Sequence, residues 1–293
     1  MPLSKSVATY WRLTKPRIWG LLVFTGFISM IVAAKYEAVS LTWGTLASCL
    51  AALTLGSASA DVLTNYHDRD IDRLMKRTQN RPLPSGDMSP RRALAFGLVM
   101  AALSVLIPLV FLNPLSAGFM ALGLVDNVVV YSLLLKRRTW LNIILGGISG
   151  GMPVLVGYAG VANTVSPIAL YMSALVIVWI PTHIWSLAIF SREDYEAASV
   201  PMLPVVFGDR VASLCVAGTS ALLAVFSLVL VFFSPSIYYA ATAILLGGVV
   251  LAYSAKLAID RKKETAWTLF KFTSPYLTLI FLILGVTVQL SLG

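Results

Sequence analysis

Asp61-Val-Leu-Thr-Asn65-Tyr-His67-Asp68-Arg69-Asp70-Ile-Asp72-Arg73-Leu-Met-Lys76-Arg77-Thr78-Gln-Asn-Arg81-Pro82 closes an apolar run that begins near residue 41. A helix long enough to cross a bilayer has to leave it where so many charges gather. At about 100° per residue, Asp61, Asn65, Asp68 and Asp72 fall within roughly 60° of one another, Asp70 points the opposite way, and His67 lies off the stripe by roughly 100°. Three carboxylates and an amide on one stripe repel one another and must be desolvated together if buried. A fold tolerates that when a hard cation sits among them. The bases that follow, Arg69, Arg73, Lys76, Arg77 and Arg81, suit a polyanion such as diphosphate. A solvated helix end with scattered ion pairs is the competing explanation, and the sorting of the acids onto one face argues against it.

The rest of the chain says where this segment lives. Hydrophobic residues make up 58% and charged residues 12% of its 293 positions, against about 25% charged in a soluble domain. Nine apolar runs are predicted, near 18–35, 41–62, 92–112, 115–135, 141–161, 166–189, 211–233, 237–256 and 269–290, each able to span roughly 30 Å of hydrocarbon as a helix. Asn113-Pro114 and Ser234-Pro235 mark tight helical hairpins. The expected fold class is an all-α membrane protein, one transmembrane domain over 1–293, with nine helices around a central cavity. Of the 22 Lys and Arg, every one except Lys35 falls in the N-terminal segment, or in or within three residues of an even-to-odd loop. That asymmetry predicts a cytoplasmic N-terminus and an outside C-terminus.

Membrane topology and anionic lipid also account for the net charge of +9, so no nucleic-acid partner is expected. The first seventeen residues are polar and basic, with neither a signal-peptide nor a transit-peptide pattern, which favours a prokaryotic plasma membrane. Cys49 and Cys215 each sit in an apolar run without partner spacing and read as small core or lipid-facing residues.

Other candidate groups gather on the same membrane face. Glu193-Asp194-Tyr195-Glu196 follows the sixth run and could share Mg²⁺ with the first acid cluster. Tyr131 precedes Lys136-Arg137-Arg138-Thr139, and Lys15-Pro16-Arg17 precedes the first run. His67 reads as a bystander. His183, inside Trp179-Ile-Pro181-Thr-His183-Ile-Trp185, is an intramembrane ionisable residue and so a functional candidate, with a hydrogen-bonded structural role as the alternative. Gly146-Gly147-x-x-Gly150-Gly151-Met-Pro153 reads first as close helix packing with a kink, and second as room for a flat substrate.

Several of these segments together resemble the UbiA-type intramembrane prenyltransferases and, within them, the haem O synthase branch. The residues that carry the resemblance are Leu13-Thr14-Lys15-Pro16-Arg17, Asp68-Arg-Asp-Ile-Asp72-Arg-x-Met-x-Arg77-Thr78-x-x-Arg81-Pro82-Leu83, Leu135-Lys136-Arg137-Arg138-Thr139-x-x-Asn142-Ile143, Pro181-x-His183-x-Trp185-x-Leu187-Ala188-Ile189 and Asp194-Tyr195-x-x-Ala198-x-Val200-Pro201-Met202-Leu203-Pro204-Val205-Val206. A weaker echo lies at 270–277. The resemblance implies Mg²⁺-dependent transfer of a farnesyl group from farnesyl diphosphate to a vinyl group of haem B, with water addition, giving haem O.

It implies metal binding by Asp68 and Asp72, with catalytic roles for both and for Lys136; Asn65 on the same stripe and Asp194 in the second acidic cluster are the further metal ligands expected. Substrate contacts would come from Arg17, Asn65, Arg77, Arg81, Tyr131 and Arg137, with His183 on the haem side. Membrane lipid is an implied partner, and a haem A synthase is a candidate one. The chain departs from the family pattern at Thr64, where an asparagine is usual and Asn65 stands one place on. It departs again at Ser191 and Tyr195, which occupy the aspartate positions of a second motif; haem O synthases also tend to lack that motif. Two rival readings remain: a prenyltransferase for another acceptor (quinone precursor, chlorophyllide or glycerol phosphate lipid), and a metal or anion transporter. Transporters usually place their site near the midplane with internal repeats, and neither feature is evident here.

Overall fold

A computed structural model describes residues 3–291; the side chains of residues 3–6, of Arg17 and of residue 291 lie outside the described residues. The described chain is helical with no strand. In order the elements are α1 (Leu3–Leu13), α2 (Pro16–Tyr36), α3 (Trp43–His67), α4 (Arg69–Leu74), α5 (Pro90–Phe111), α6 (Pro114–Leu124), α7 (Asn142–Gly146), α8 (Ile148–Ala162), α9 (Pro167–Phe190), α10 (Arg192–Ala197), α11 (Leu203–Val229), α12 (Ile237–Asp260) and α13 (Lys263–Ser291). Among the described residues, nine helical segments are long and apolar enough to cross a membrane, matching the nine predicted runs. The ends differ. α3 runs on to His67 rather than stopping near 62, and α11 starts at Leu203 rather than near 211, bending at Gly208, whose φ is +77°.

Local chemistry sets the starts. Pro16, Pro90, Pro114 and Pro167 occupy first-turn positions, where the missing N–H costs nothing. The Thr42 side chain accepts from Thr45 N at 3.1 Å and that of Asn113 from Ser116 N at 2.9 Å, satisfying free donors at two helix starts. Lys15, at φ 51°, makes the elbow between α1 and α2.

The sixth element continues past Leu124 as an eleven-residue π-helix, Val125–Leu135. Its wide turn carries on to Lys136, whose N–H reaches Tyr131 O at 2.8 Å. This widening rotates Tyr131 and Lys136 relative to α-helical phase, and π segments often occur at functional sites. Asp126, at the start of the segment, accepts from Ser149 N at 2.7 Å and so caps the break where α7 gives way to α8.

α8 is the most enclosed span. It packs on α2, α6 and α9, while α3 lies along α5 and α11 along α12. The Gly-rich sequence is what allows that enclosure. A Cβ at Gly157 would sit 2.3 Å from Gly26 O, so α2 and α8 touch backbone to backbone there. Gly157→Ala is therefore expected to push the pair apart and cost about 1–3 kcal/mol, read as an earlier thermal transition in detergent. Gly248→Ala, with open space around it, is the matched control.

Candidate active site

The acid segment does not continue as one helix. α3 ends at His67, Asp68 stands at the joint with φ −87° and ψ 5°, and α4 resumes at Arg69. The i to i−4 hydrogen bonds nevertheless persist through the joint: Asp68 N donates to Thr64 O and Asp72 N to Asp68 O, both at 2.8 Å. Helical phase is kept, so Asn65, Asp68 and Asp72 all face inward, each 2% exposed, as the wheel predicts. Asp70 faces out, with its side chain 63% exposed. Asp61, one turn further up α3, pairs with Lys15 Nζ at 3.2 Å. Burial pulls the Lys15 ammonium below its ordinary range, partly offset by Asp61.

Each inward aspartate meets a base, Asp68 from the distant loop after the sixth element and Asp72 from the loop that follows α4. Lys136 Nζ donates to Asp68 Oδ2 and lies 5.6 Å from the Tyr131 ring centroid. Arg81 Nη1 donates to both oxygens of Asp72, at 3.0 and 2.8 Å, and lies 3.3 Å from Asn65 Oδ1. The loop brings Arg81 back because Thr78, itself buried, donates its hydroxyl to Asp72 O at 3.0 Å and accepts Arg81 N at its own carbonyl. Asn65 Nδ2 donates to Leu13 O at 3.0 Å, fixing the amide. Arg137 forks onto Asp70 with two 2.7 Å bonds, donates to His67 O at 2.9 Å and stands 3.8 Å from Asp68 Oδ1.

The electrostatics follow. Hydrogen bonding to Arg137 holds the Asp70 carboxyl down to about 2, and the same bond raises the guanidinium. Burial on its own would lower Lys136. Tyr131 and Asp68 outweigh it and hold that ammonium above the usual lysine range.

The second acidic cluster opens outward and does not merge with the first. Glu193 pairs with Lys263 at 2.5 Å and Glu196 with Arg192 at 2.6 Å. Asp194 turns in, but both its oxygens are taken by backbone N–H groups, of Lys76 at 3.1 Å and Arg77 at 3.2 Å. Arg77 Nη2 lies 3.4 Å from Tyr195 Oη. The expected four-ligand metal set including Asp194 is thus not assembled. Among the described residues, no three His, Cys, Asp or Glu side chains converge on one point. The backbone donors claim the Asp194 carboxylate and make it a clasp between two loops.

A divalent cation still fits the first cluster. Asp68 Oδ1 is sealed from solvent and makes no hydrogen bond, with only the 3.8 Å approach of Arg137 beside it. A buried carboxylate oxygen left in that state is an open oxygen ligand for a hard cation, and Asp72 lies one turn away.

His183 is not part of the acid cluster. Its ring stacks between Trp179 (centroids 4.4 Å, 18°) and Phe270 (4.3 Å, 27°), and Nδ1 lies 2.7 Å from Thr273 Oγ1. Trp267-x-x-Phe270-x-x-Thr273 supplies the α13 side of this arrangement. The i, i+3 spacing of those residues was the available signal, and only the 270–277 echo hinted at it. The side chain of Arg17, at the start of α2, lies outside the described residues.

Comparison with known proteins agrees with this geometry. Residues 22–282 match the model of the UbiA prenyltransferase family. "Protoheme IX farnesyltransferase" of Thermoplasma volcanium is 43% identical over 94% of this chain and 96% of its own length. "Protoheme IX farnesyltransferase 2" of Cenarchaeum symbiosum is 42% identical over 96% and 95%, and the Desulforudis audaxviator protein named "Protoheme IX farnesyltransferase" is 44% identical over 96% and 88%. Among solved structures, that of a digeranylgeranylglyceryl phosphate synthase superposes with a TM-score of 0.78 at 18% identity, over 98% of this chain and 99% of that one. A UbiA homologue from Archaeoglobus fulgidus, bound to DMAPP and Mg²⁺, gives 0.66 at 16% identity over 94% and 99%. With its acids gathered at the end of α3, the chain belongs to the UbiA prenyltransferase family.

Proposed function

We propose that this protein is a Mg²⁺-dependent farnesyltransferase that joins the farnesyl group of farnesyl diphosphate to a vinyl group of haem B and adds water, giving haem O. The 40–44% identity to protoheme IX farnesyltransferases over nearly the whole chain supports the acceptor. The observation that carries the chemistry is the buried pair Asp68 and Asp72 at a membrane-helix end, each already matched to a base.

Asp68 and Asp72 hold the metal, with Asn65 beside them. When bound, Mg²⁺ neutralises diphosphate oxygens and stabilises the charge that develops as the C–O bond breaks. Lys136, Arg81, Arg77, Arg137 and Arg17 are the bases available to the diphosphate. The first two pair with the carboxylates in this structure, and a cation that neutralised those acids would free their donors for phosphate oxygens. The diphosphate departs with the bonding pair, leaving an allylic cation. Tyr131, in the span that supplies Lys136, presents a π face to positive charge. The vinyl π pair of the haem bonds to the farnesyl carbon. A water oxygen then adds to the new cation and loses a proton, leaving the hydroxyl. His183 takes the haem side. The nine spans act as one domain over 1–293, in the plasma membrane, with this site on the cytoplasmic side where the basic loops gather.

The test is purified protein with farnesyl diphosphate, haem B and Mg²⁺, followed by mass spectrometry of the extracted haem. The expected product is haem heavier by one farnesyl group plus water. Unmodified haem, alongside a prenylated quinone precursor or lipid in parallel reactions, would overturn the acceptor assignment.

Asp194 works through the loop it clasps. Asp194→Ala is expected to raise KM for the prenyl diphosphate by about tenfold, with kcat changed less, because Lys76 and Arg77 lose their shared anchor. Steady-state kinetics over varied farnesyl diphosphate separates the two effects.

A further inference from the structure

The hydrogen-bond accounting around His183 assigns its tautomer. Thr273 is fully buried on α13. Its hydroxyl has one proton, and Phe270 O, 2.8 Å away, is an acceptor that can only take it. The oxygen lone pair of Thr273 is then what faces His183 Nδ1 at 2.7 Å, so Nδ1 carries the imidazole proton. Nε2 is left with an in-plane lone pair. It makes no hydrogen bond among the described residues, and it is not one of the sealed polar atoms that lack a partner.

The same residues fix the ring plane. Trp179 and Phe270 cover its two faces. Trp179 is itself locked by Nε1–H donating to Thr273 O at 2.7 Å. The stack continues to Trp267, 5.1 Å from Phe270, and to Phe190, 4.6 Å from Trp267. With both faces covered and Nδ1 occupied, the Nε2 edge is the side from which a ligand can approach. A lone pair aimed along an edge, on a ring whose other nitrogen is held by a fixed acceptor, is the arrangement that presents an imidazole to a metal.

We infer that Thr273 is a positioning residue that holds His183 as the Nδ1–H tautomer, so that Nε2 donates its lone pair to the iron of the haem acceptor. The inference rests on the haem reading given above. Coordination consumes only the Nε2 lone pair and moves no proton. It fixes the acceptor against α9 and α13 while its edge meets the prenyl donor.

Ferric haem B titrated into the full-length protein in detergent, followed in the Soret and visible bands, tests it. Wild type and Thr273→Ser are expected to give a nitrogen-ligated spectrum. Thr273→Val, nearly the same shape without the acceptor, is expected to bind haem about 10–100-fold more weakly or to lose the imidazole-ligand bands, and added free imidazole is expected to restore them. If Thr273→Val keeps the wild-type spectrum and affinity while His183→Ala loses them, the positioning role is wrong and the haem reading stands. If His183→Ala is also unchanged, iron ligation by this histidine fails with it. If neither Thr273→Ser nor imidazole recovers the bands, Thr273 serves only to pack α9 on α13 and the inference is overturned.

Discussion

Asp72→Asn, and separately Asp68→Asn, are each expected to cut farnesyl transfer by about a hundred- to a thousandfold. The size follows from the several kcal/mol of charge stabilisation that a bound divalent ion supplies, at about 1.4 kcal/mol per factor of ten. Asn is nearly the shape of Asp, so the fold around Thr78 and Asn65 should survive, but it supplies no charge to a cation and no anionic acceptor to Arg81 or Lys136. The two variants should differ in one respect. Asp68→Asn strands Lys136, whose pKa is held up partly by that carboxylate, whereas Asp72→Asn leaves Arg81 with Asn65 still in reach. Asp68→Asn should therefore also unfold earlier. Turnover by purified variants, with Mn²⁺ binding read by electron paramagnetic resonance, checks both claims. Wild-type turnover in either variant would remove the metal role assigned here.

Lys136→Met is the second large effect. Asp68 is almost fully buried, and its nearest remaining cation would be Arg137 at 3.8 Å. Removing one member of a buried pair typically costs about 3–5 kcal/mol, because the other charge stays behind unneutralised. The expected result is a sharp loss of thermal stability without divalent metal, partly recovered by Mg²⁺, since a cation at Asp68 takes over the neutralising role. A melting curve that Mg²⁺ fails to move would separate the carboxylate from the metal. In the wild type the pH dependence has a definite sign. The folded pKa of Lys136 is raised, so its stabilising contribution is fully present below the usual lysine value of 10.5 and is lost only as pH climbs through the folded value. The Lys136 contribution should stay flat up to about pH 9.

How much of this was legible in the sequence varies residue by residue. The inward set Asn65, Asp68 and Asp72, and the outward Asp70, follow from helical phase alone, because local hydrogen bonding preserves that phase even through the break at Asp68. The partner of Asp61 does not follow from phase. That partner, Lys15, is 46 residues away and is brought there by the elbow ahead of α2. Asp194, expected as a metal ligand on composition, has both carboxylate oxygens engaged by loop backbone N–H groups in this structure. An acidic residue carries no mark of which donors will surround it.

The amino-acid order dictated the nine spans and the clustering of charge at their ends. Both arise from transfer free energy and helix periodicity, which act over a few neighbouring residues. Packing alone chose the partners. Lys136 with Asp68, Arg81 with Asp72, and Thr273 with His183 depend on how separate helices come to rest, on a π-helix that shifts the phase of Lys136, and on glycines that let α8 press against α2. Such contacts join chain segments 9 to 90 residues apart, and no local pattern encodes them, because each exists only once the bundle has closed.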